Sequence, residues 1–392
     1  MAYTLFTSYE DENGKPYIFD VSQLAHDIRL TTSLESQAGR LTFQLERDPY
    51  DKFKIAIGSQ VQFFSSTRCL FFGKVFTIET DLSDVYMVVA YDKMRYLKNE
   101  DAVLVDSTYK LDTLFNNIME KYSLAHEVSN WTKQVTLSNL EEHHFWNKSL
   151  FDILDYYMRL EEIRLNIPYD IASQISESNI IKRRFYLKCD VNRIQLREVY
   201  YDFLYEEDGT PKTKFLLIGD NSLLTNYRYK VDIDNNVYNR FIFVANEENQ
   251  NSAQSDDTNT QVNEKQLVAA IDAGYRISNT DTSLDNTKIG ENTLMTWGIL
   301  STIITLDNAE EKNKLSVYMK SVVESMSQAN KTLKLNAIGN DDIAAGSAFF
   351  LYLSKLGMSF PVYVLSATHV FDEGEHTMEL DVCTNANMRN FL

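Results

Sequence analysis

The chain has 392 residues, enough for roughly two or three domains with hydrophobic cores, and 44% of them are hydrophobic, as in an ordinary globular protein. Its net charge of −18 argues against specific binding to nucleic acid, which needs a basic surface. No uncharged apolar run reaches about 18 residues and residues 1–15 lack the pattern of a secretory signal, so we expect no membrane span and no export. The three cysteines are widely spaced and predict no disulfide framework.

Residues 1–92 are dominated by short runs in which apolar and polar residues alternate. Leu41, Phe43 and Leu45 form one such run, and the pair Asn13-Gly14 predicts a tight turn in a first hairpin. Alternation with period two, bounded by Gly, Pro, Asp and Ser, is typical of consecutive antiparallel strands. So many strands in a short span predict a tube-like β-barrel at 1–92, because closure removes exposed edges.

The pattern changes in residues 93–170, where we predict an α/β connector domain. Apolar residues recur at helical spacing over 107–122, and Ser107 or Thr108 is the expected cap of this helix. A second amphipathic helix is predicted at 147–160, with a polar start around Ser149.

Strands resume in residues 171–392, where we predict a second tube-like β-barrel. A hairpin is expected from the runs at 184–189 and 193–201. The segment 246–265 is polar and of low complexity, which predicts a mobile loop. The segment 308–330 has the longest helical pattern of the chain and predicts one long helix.

The last two strands are expected to form a hairpin across Glu373 and Gly374. A two-residue turn sets the register and predicts four facing pairs, which are Phe371 with His376, His369 with Met378, Ala367 with Leu380, and Leu365 with Val382. Together the elements predict an α+β, mainly β chain. Two tube-like antiparallel β-barrels are joined by an α/β connector, with one long helix near 308–330.

Two histidine pairs are candidate metal sites. His143 and His144 are adjacent, so in an extended segment they point to opposite faces, and an exposed polar turn is the favoured interpretation. His369 and His376 come close at the end of the predicted hairpin. Two histidines without a third ligand make a weak zinc site, so we favour histidines that are hydrogen-bonded within the wall.

Other motifs that could carry chemistry are incomplete. Asp232, Asp234 and Asn236 resemble the start of a calcium loop, but Val237 stands at its glycine position and Phe243 at its glutamate position. The basic cluster at 182–184 is too small for a nucleic-acid channel. The sequence has no Walker A motif, nucleophile elbow or HExxH motif. We therefore predict no catalytic, cofactor or metal residues and no enzyme activity, and binding residues are not assigned.

A series of short motifs, weak singly but ordered along most of the chain, resembles one known family. They are 38–43 (AGRLTF), 57–63 (IGSQVQF), 70–75 (LFFGKV), 91–97 (YDKMRYL), 148–154 (KSLFDIL), 239–241 (NRF), 297–300 (WGIL), 369–371 (HVF) and 374–380 (GEHTMEL). The chain resembles the XkdQ/YqbQ-type tail (baseplate) hub proteins of PBSX-like prophages, contractile phages and phage-tail-like bacteriocins. Ser59 departs from the pattern, because the family has Asp there.

The resemblance implies a structural central hub of a contractile-tail baseplate, located in the virion or tail-like particle and assembled in the bacterial cytoplasm. It implies a homotrimer whose subunits each lend two barrels to a ring, so that the sixfold tail tube is adapted to the threefold spike. The implied partners are the tail tube protein, the central spike protein, the tape measure protein, a LysM-type baseplate protein and the baseplate wedge proteins.

Two other functions are alternatives to the hub. One is a tail-tip protein that binds a receptor or carbohydrate, and the other is a hub that carries a cell-wall hydrolase activity. Abundant Tyr (23) and Phe (22) suit the large interfaces that a homo-oligomeric ring needs. The sequence does not distinguish a DNA-carrying phage from a headless bacteriocin, or a contractile from a long flexible tail.

Overall fold

A computed structural model gives the fold. It describes residues 3–10, 15–34, 38–47, 55–66, 68–80, 82, 85–129, 136–166, 185–206, 208–246, 265–279, 292–306, 319, 322–323, 326–372 and 374–383. The chain divides into two compact units. The first comprises 1–228 with 333–385, and the second comprises 229–332 with 386–392.

The N-terminal strands of the first unit form what we call the first wall. They are β1 (Tyr3–Glu10), β2 (Pro16–Asp20), β3 (Ala25–Ser33), β4 (Arg40–Glu46), β5 (Gln60–Ser65), β6 (Arg68–Thr80) and β7 (Val85–Tyr91). They pair antiparallel in the order β2-β1-β5-β6-β7-β4-β3. Alternate residues such as Leu41, Phe43 and Leu45 are fully buried in one core with Phe63 and Val88. The predicted alternation therefore describes this wall correctly.

The C-terminal strands form the second wall in the same sheet. They are β13 (Leu217–Gly219), β14 (Leu224–Asp232), β19 (Asn330–Ile338), β20 (Ala348–Leu353), β21 (Met358–Asp372) and β22 (Glu375–Cys383). The sheet runs β3-β21-β22-β19-β14, with β20 on β21 and β13 on β20. Leu335, Phe349 and Leu380 are buried and belong to alternating buried positions of β19, β20 and β22. The pairing of β3 with β21 makes the two walls one sheet of 13 strands among the described residues.

The mainly β fold class is confirmed, with large antiparallel sheets. Barrel closure is not found in the described part of the chain, where the long sheet ends at β2 on one side and at β14 on the other. The two barrels and the bounds 1–92, 93–170 and 171–392 stay predictions.

A helical region with its own core follows the first wall. Its elements are a 3₁₀ helix (Lys93–Lys98), β8 (Glu100–Val105), α1 (Leu111–Lys121), β9 (His126–Val128), β10 (His143–Ser149), α2 (Leu150–Asn166), β11 (Phe185–Asp190), β12 (Arg193–Glu198) and α3 (Val199–Leu204). Strand β10 pairs with β8, and the other three form the sheet β11-β12-β9. Apolar residues of α1, α2, β11 and β12 share this core, so it draws on residues beyond 170.

The two connector helices α1 and α2 begin in different ways. Ser107 and Thr108 do not cap α1, since Lys110 is its N-cap and no side chain completes the cap. The reason is local, because the carboxylate of Asp106 accepts hydrogen bonds from Thr108 and forms a separate turn. Ser149 does precede α2 and accepts a hydrogen bond of 3.1 Å from the backbone of Asp152.

The second unit contains a four-stranded sheet. Its elements are β15 (Arg240–Asn246), β16 (Lys265–Asp272), β17 (Tyr275–Asn279), α4 (Leu294–Trp297) and β18 (Ser301–Leu306), in the strand order β17-β16-β15-β18. Phe241 and Phe243 pack with Met319 and Val322, two residues of the helix predicted at 308–330. Most of that helix lies outside the described residues, as does the interior of the predicted loop 246–265, whose ends Asn246 and Lys265 are register partners.

The final hairpin agrees with the predicted register at three of four pairs. Phe371 faces His376, His369 faces Met378 and Ala367 faces Leu380. The fourth pair was wrong, because a β-bulge at Leu365 shifts the register and places Val364 opposite Val382. None of the helices that the structure describes is long and apolar enough to cross a membrane.

Candidate functional site

The two walls meet along a junction that we call the seam. It comprises the pairing of residues 28–33 of β3 with 366–371 of β21, together with the loop 339–345. The hydroxyls of Thr31 and Thr368 lie 3.1 Å apart across it, and the backbone N–H of Ala345 donates to Oγ1 of Thr32 at 2.9 Å. Backbone and side-chain hydrogen bonds therefore both join the walls.

The loop 339–345 of the seam also contacts strands β5 and β6 of the first wall. The hydroxyl of Ser65 at the end of β5 donates to the carboxylate of Asp341, and the guanidinium of Arg68 on β6 pairs with Asp342. The Arg68–Asp342 pair is largely exposed, so screening by water keeps its contribution small. The Ser65–Asp341 contact is more sheltered.

A buried histidine pair lies at the centre of the seam. Nε2 of His369 is 2.8 Å from the carbonyl oxygen of Ile343, which can only accept, so this nitrogen carries a proton. Nδ1 of a neutral His369 is then an acceptor, and it lies 2.9 Å from Nε2 of His376, which must donate. The remaining nitrogen, Nδ1 of His376, faces Oδ1 of Asp341 at 3.5 Å.

Burial governs the protonation of this pair. Loss of solvation lowers the pKa of His369, and it lowers the pKa of His376 to about 4 with a further contribution from the neighbouring His369. The charge of Asp341 acts in the opposite direction but is outweighed. Oδ1 of Asp341 is buried and has no hydrogen-bond partner in the described part of the chain. Both histidines are therefore neutral near pH 7.

Packing fixes the His376 ring from two sides. The ring of Phe371 stacks on it with a centroid distance of 4.3 Å. On the other side Gly339 approaches so closely that an added Cβ would lie 2.1 Å from the ring, and its N–H donates to the carbonyl of His376 at 2.8 Å. Glycine is therefore required at 339 for the histidine pair to sit where it does.

The polar side chains of the seam form hydrogen bonds that hold the two walls together. No group of three or more His, Cys, Asp or Glu side chains that could hold a metal ion is found among the residues that the structure describes. The arrangement gives three of the four ring nitrogens a hydrogen-bond partner within the wall and joins segments distant in sequence. The sequence pointed to His369 and His376, but it gave no signal for Ser65 and Asp341, which are 276 residues apart.

The other motifs considered from sequence lie elsewhere. His143 and His144 are in strand β10 and not in a turn, because they pair with Val105 and Leu104 of β8. His143 contacts the ring of Phe145. Asp232 forms an ion pair of 2.7 Å with Lys230. The basic cluster at 182–184 lies outside the described residues.

Solved structures define the class of fold. The chain is similar to a 43 kDa tail protein of prophage MuSo2 from Shewanella oneidensis, with TM-score 0.59, 10% identity and coverage of 98% of this chain and 99% of that chain. It is also similar to a tail protein from Neisseria meningitidis MC58 (TM-score 0.56, 9% identity, 99% of each chain) and to prophage tail protein gp18 from Listeria monocytogenes EGD-e (TM-score 0.51, 9% identity, 96% and 94%). The fold is thus one found in prophage tail proteins.

The family follows from the sequence match. The model of the YQBQ-like family matches residues 28–266 and 278–383, so the chain belongs to the YQBQ-like family. This confirms the resemblance seen in the motifs. No curated protein sequence matched the chain.

Proposed function

We propose that this protein is a structural hub of a contractile-tail baseplate, a homotrimer that adapts the sixfold tail tube to the threefold spike. In this role it contacts the tail tube protein, the central spike protein, the tape measure protein, a LysM-type baseplate protein and baseplate wedge proteins. It is assembled in the bacterial cytoplasm and ends in the baseplate of the virion or tail-like particle. It acts as a scaffold and not as an enzyme.

The observation that carries the proposal is the presence of two β walls in one chain. The first wall buries Phe43 and the second buries Phe349, each among alternating apolar positions, and the seam joins them through β3 and β21. Three copies would bring six such walls around one axis. A ring of six similar walls on three subunits is what a threefold to sixfold adaptor needs.

Exposed apolar side chains support a role in assembly. Trp146 on β10 and Leu104 on β8 are 69% and 54% exposed. Contiguous apolar surface that is exposed in a single chain is typical of protein interfaces. We expect part of this surface to be covered in the assembled particle.

The mass of the purified protein in solution tests the trimer. Native mass spectrometry should give a species of three times the 45.3 kDa chain, and electron microscopy of the particle should place it as a ring at the lower end of the tail tube. A monomer that stays monomeric with its tube protein, or a fibre at the particle's periphery, would contradict the proposal. Clearing of peptidoglycan by the purified chain would favour the hydrolase alternative instead.

A further inference from the structure

A cavity of about 650 Å³ opens at one end of the first wall, next to the turn between β21 and β22. Its apolar lining includes the rings of Tyr3, Phe63 and Phe371, which pack on one another with centroid distances of 4.5 to 5.8 Å. Phe63 and Phe371 are buried in the wall and fixed by it. The cavity volume lies within the roughly 300–1,000 Å³ that is typical of protein pockets that bind ligands.

The charged side chains that line the cavity are acidic. Glu46, Asp372 and Glu375 line it and are exposed, and no lysine or arginine is among the described residues that line it. None of these three carboxylates forms an ion pair with another described residue. His26 is the remaining titratable group of the lining apart from Tyr3. The cavity therefore combines an apolar wall with three carboxylates that are not neutralised within the described chain.

We propose that this cavity binds a segment of a partner protein in which an apolar side chain is flanked by lysine or arginine residues. The apolar side chain enters against the half-buried Tyr3 and Ala25, which removes its surface from water. The buried rings of Phe63 and Phe371 hold the Tyr3 ring in place. The basic flanks lie against Glu46, Asp372 and Glu375, and this charge complementarity selects the segment and orients it. An acidic segment is repelled by the same three carboxylates.

The inference goes beyond the hub role and does not depend on it. The cavity is built within one chain, between β1, β3, β4, β5 and the β21–β22 turn, so it exists whatever the oligomeric state. Loss of the trimer would overturn the proposed function and leave this site intact. Failure of the peptide to bind would overturn the proposed binding site and leave the proposed hub function untouched.

Fluorescence anisotropy with labelled peptides tests the site in the full chain. The probe is a fluorescein-labelled peptide with one tryptophan between two pairs of lysines. Replacing its tryptophan by serine, or its lysines by glutamates, should weaken binding at least about tenfold in each case. Binding of the probe should also weaken as salt is raised from low ionic strength, because the carboxylates are exposed.

A charge variant with a matched control locates the site. E46Q/D372N/E375Q removes the three carboxylates of the cavity and should weaken binding of the lysine probe about tenfold. E100Q/E120Q/E379Q removes three exposed carboxylates elsewhere and should leave binding unchanged. Both triples alter only exposed side chains, so thermal melting should show that they fold like the wild type.

A filling variant tests the apolar part separately. A25L adds bulk at a half-buried position of the lining and should weaken the tryptophan peptide more than the serine peptide. The proposal is overturned if the probe does not bind up to 1 mM, if the glutamate peptide binds as well as the lysine peptide, or if both charge triples lose binding equally.

Discussion

The two walls of this sheet bury similar cores but are assembled from different stretches of chain. The first wall uses strands from residues 3–91, most of them joined by short connections. The second wall takes β13 and β14 from residues 217–232 and β19–β22 from residues 330–383. The pairing of β14 with β19 therefore spans an insertion that contains the four-stranded sheet of the second unit. Closing such a long stretch of chain costs chain entropy and slows formation of contacts. Two similar walls can thus be built from one continuous stretch of chain or from two distant ones.

Matched core truncations give the largest expected effect on this comparison. Phe43→Ala in the first wall and Phe349→Ala in the second each remove a fully buried ring and should lower the free energy of unfolding by about 3–5 kcal/mol. Met87→Ala, which alters a 43% exposed side chain of β7, is the control and should cost less than about 1.5 kcal/mol. Urea unfolding followed by circular dichroism measures all three. A small loss for Phe349→Ala alone would show that the second wall is not tightly packed.

The seam should make stability depend on acid pH. The pKa of His376 is about 4 in the folded chain and ordinarily 6.5, so below pH 6.5 the unfolded chain takes up a proton that the folded chain does not. Stability is therefore lost as pH falls from about 6.5 to 4, by up to about 3 kcal/mol for this residue. His376→Gln keeps a donor for His369 but does not titrate. The wild type should lose up to about 3 kcal/mol more free energy of unfolding between pH 7 and pH 4 than His376→Gln does. Urea unfolding at each pH measures this difference.

Asp92, which follows the last strand of the first wall, makes stability fall with rising pH, whereas His376 makes it fall with decreasing pH. Burial raises its pKa to about 7, so the stability linked to its protonated form is lost as pH rises toward and through 7. This contribution is common to the wild type and to His376→Gln, and the difference between the two removes it. An unchanged pH dependence in His376→Gln would contradict the assignment of His376.

The junction of the first wall with the helical region should depend on a single glycine. A Cβ at Gly39 would lie 2.5 Å from Oδ2 of Asp92, which accepts the N–H of Gly39 at 2.9 Å, while Oδ1 accepts the N–H of Met94. Gly39→Ala should therefore cost about 2 kcal/mol through the displaced buried carboxylate. Combined with Asp92→Ala the cost should be less than additive, because the clash is gone. Additive costs in thermal melting would exclude this contact as the cause.

The smallest effect is expected where the seam is exposed. Arg68→Ala removes the pair with Asp342, whose side chains are 51% and 79% exposed, and should change the free energy of unfolding by less than about 1 kcal/mol. Raising the salt concentration should reduce the difference further. A larger loss would mean that the loop 339–345 relies on this pair more than on the buried histidines.

Local patterns allowed much of the fold to be predicted. The strands of the first wall, the two connector helices and most of the final hairpin follow from residue spacing, because burial on one face imposes a period of two or 3.6 on the sequence. Two local details were missed, which are the β-bulge at Leu365 and the turn that Asp106 forms before α1. Several alternatives at such points differ by too little energy for local propensity to decide.

By itself the sequence determined that the chain is mainly β, acidic and a member of one family, since alternation, composition and motif order are local properties. Only the tertiary structure decided that the first and last strands share one sheet, and that Ser65, Asp341, His369 and His376 form one cluster. It also decided that three carboxylates from separate strands line a single cavity. The physical reason is that pairing across hundreds of residues depends on which buried surfaces fit, and no local period of the sequence encodes that fit.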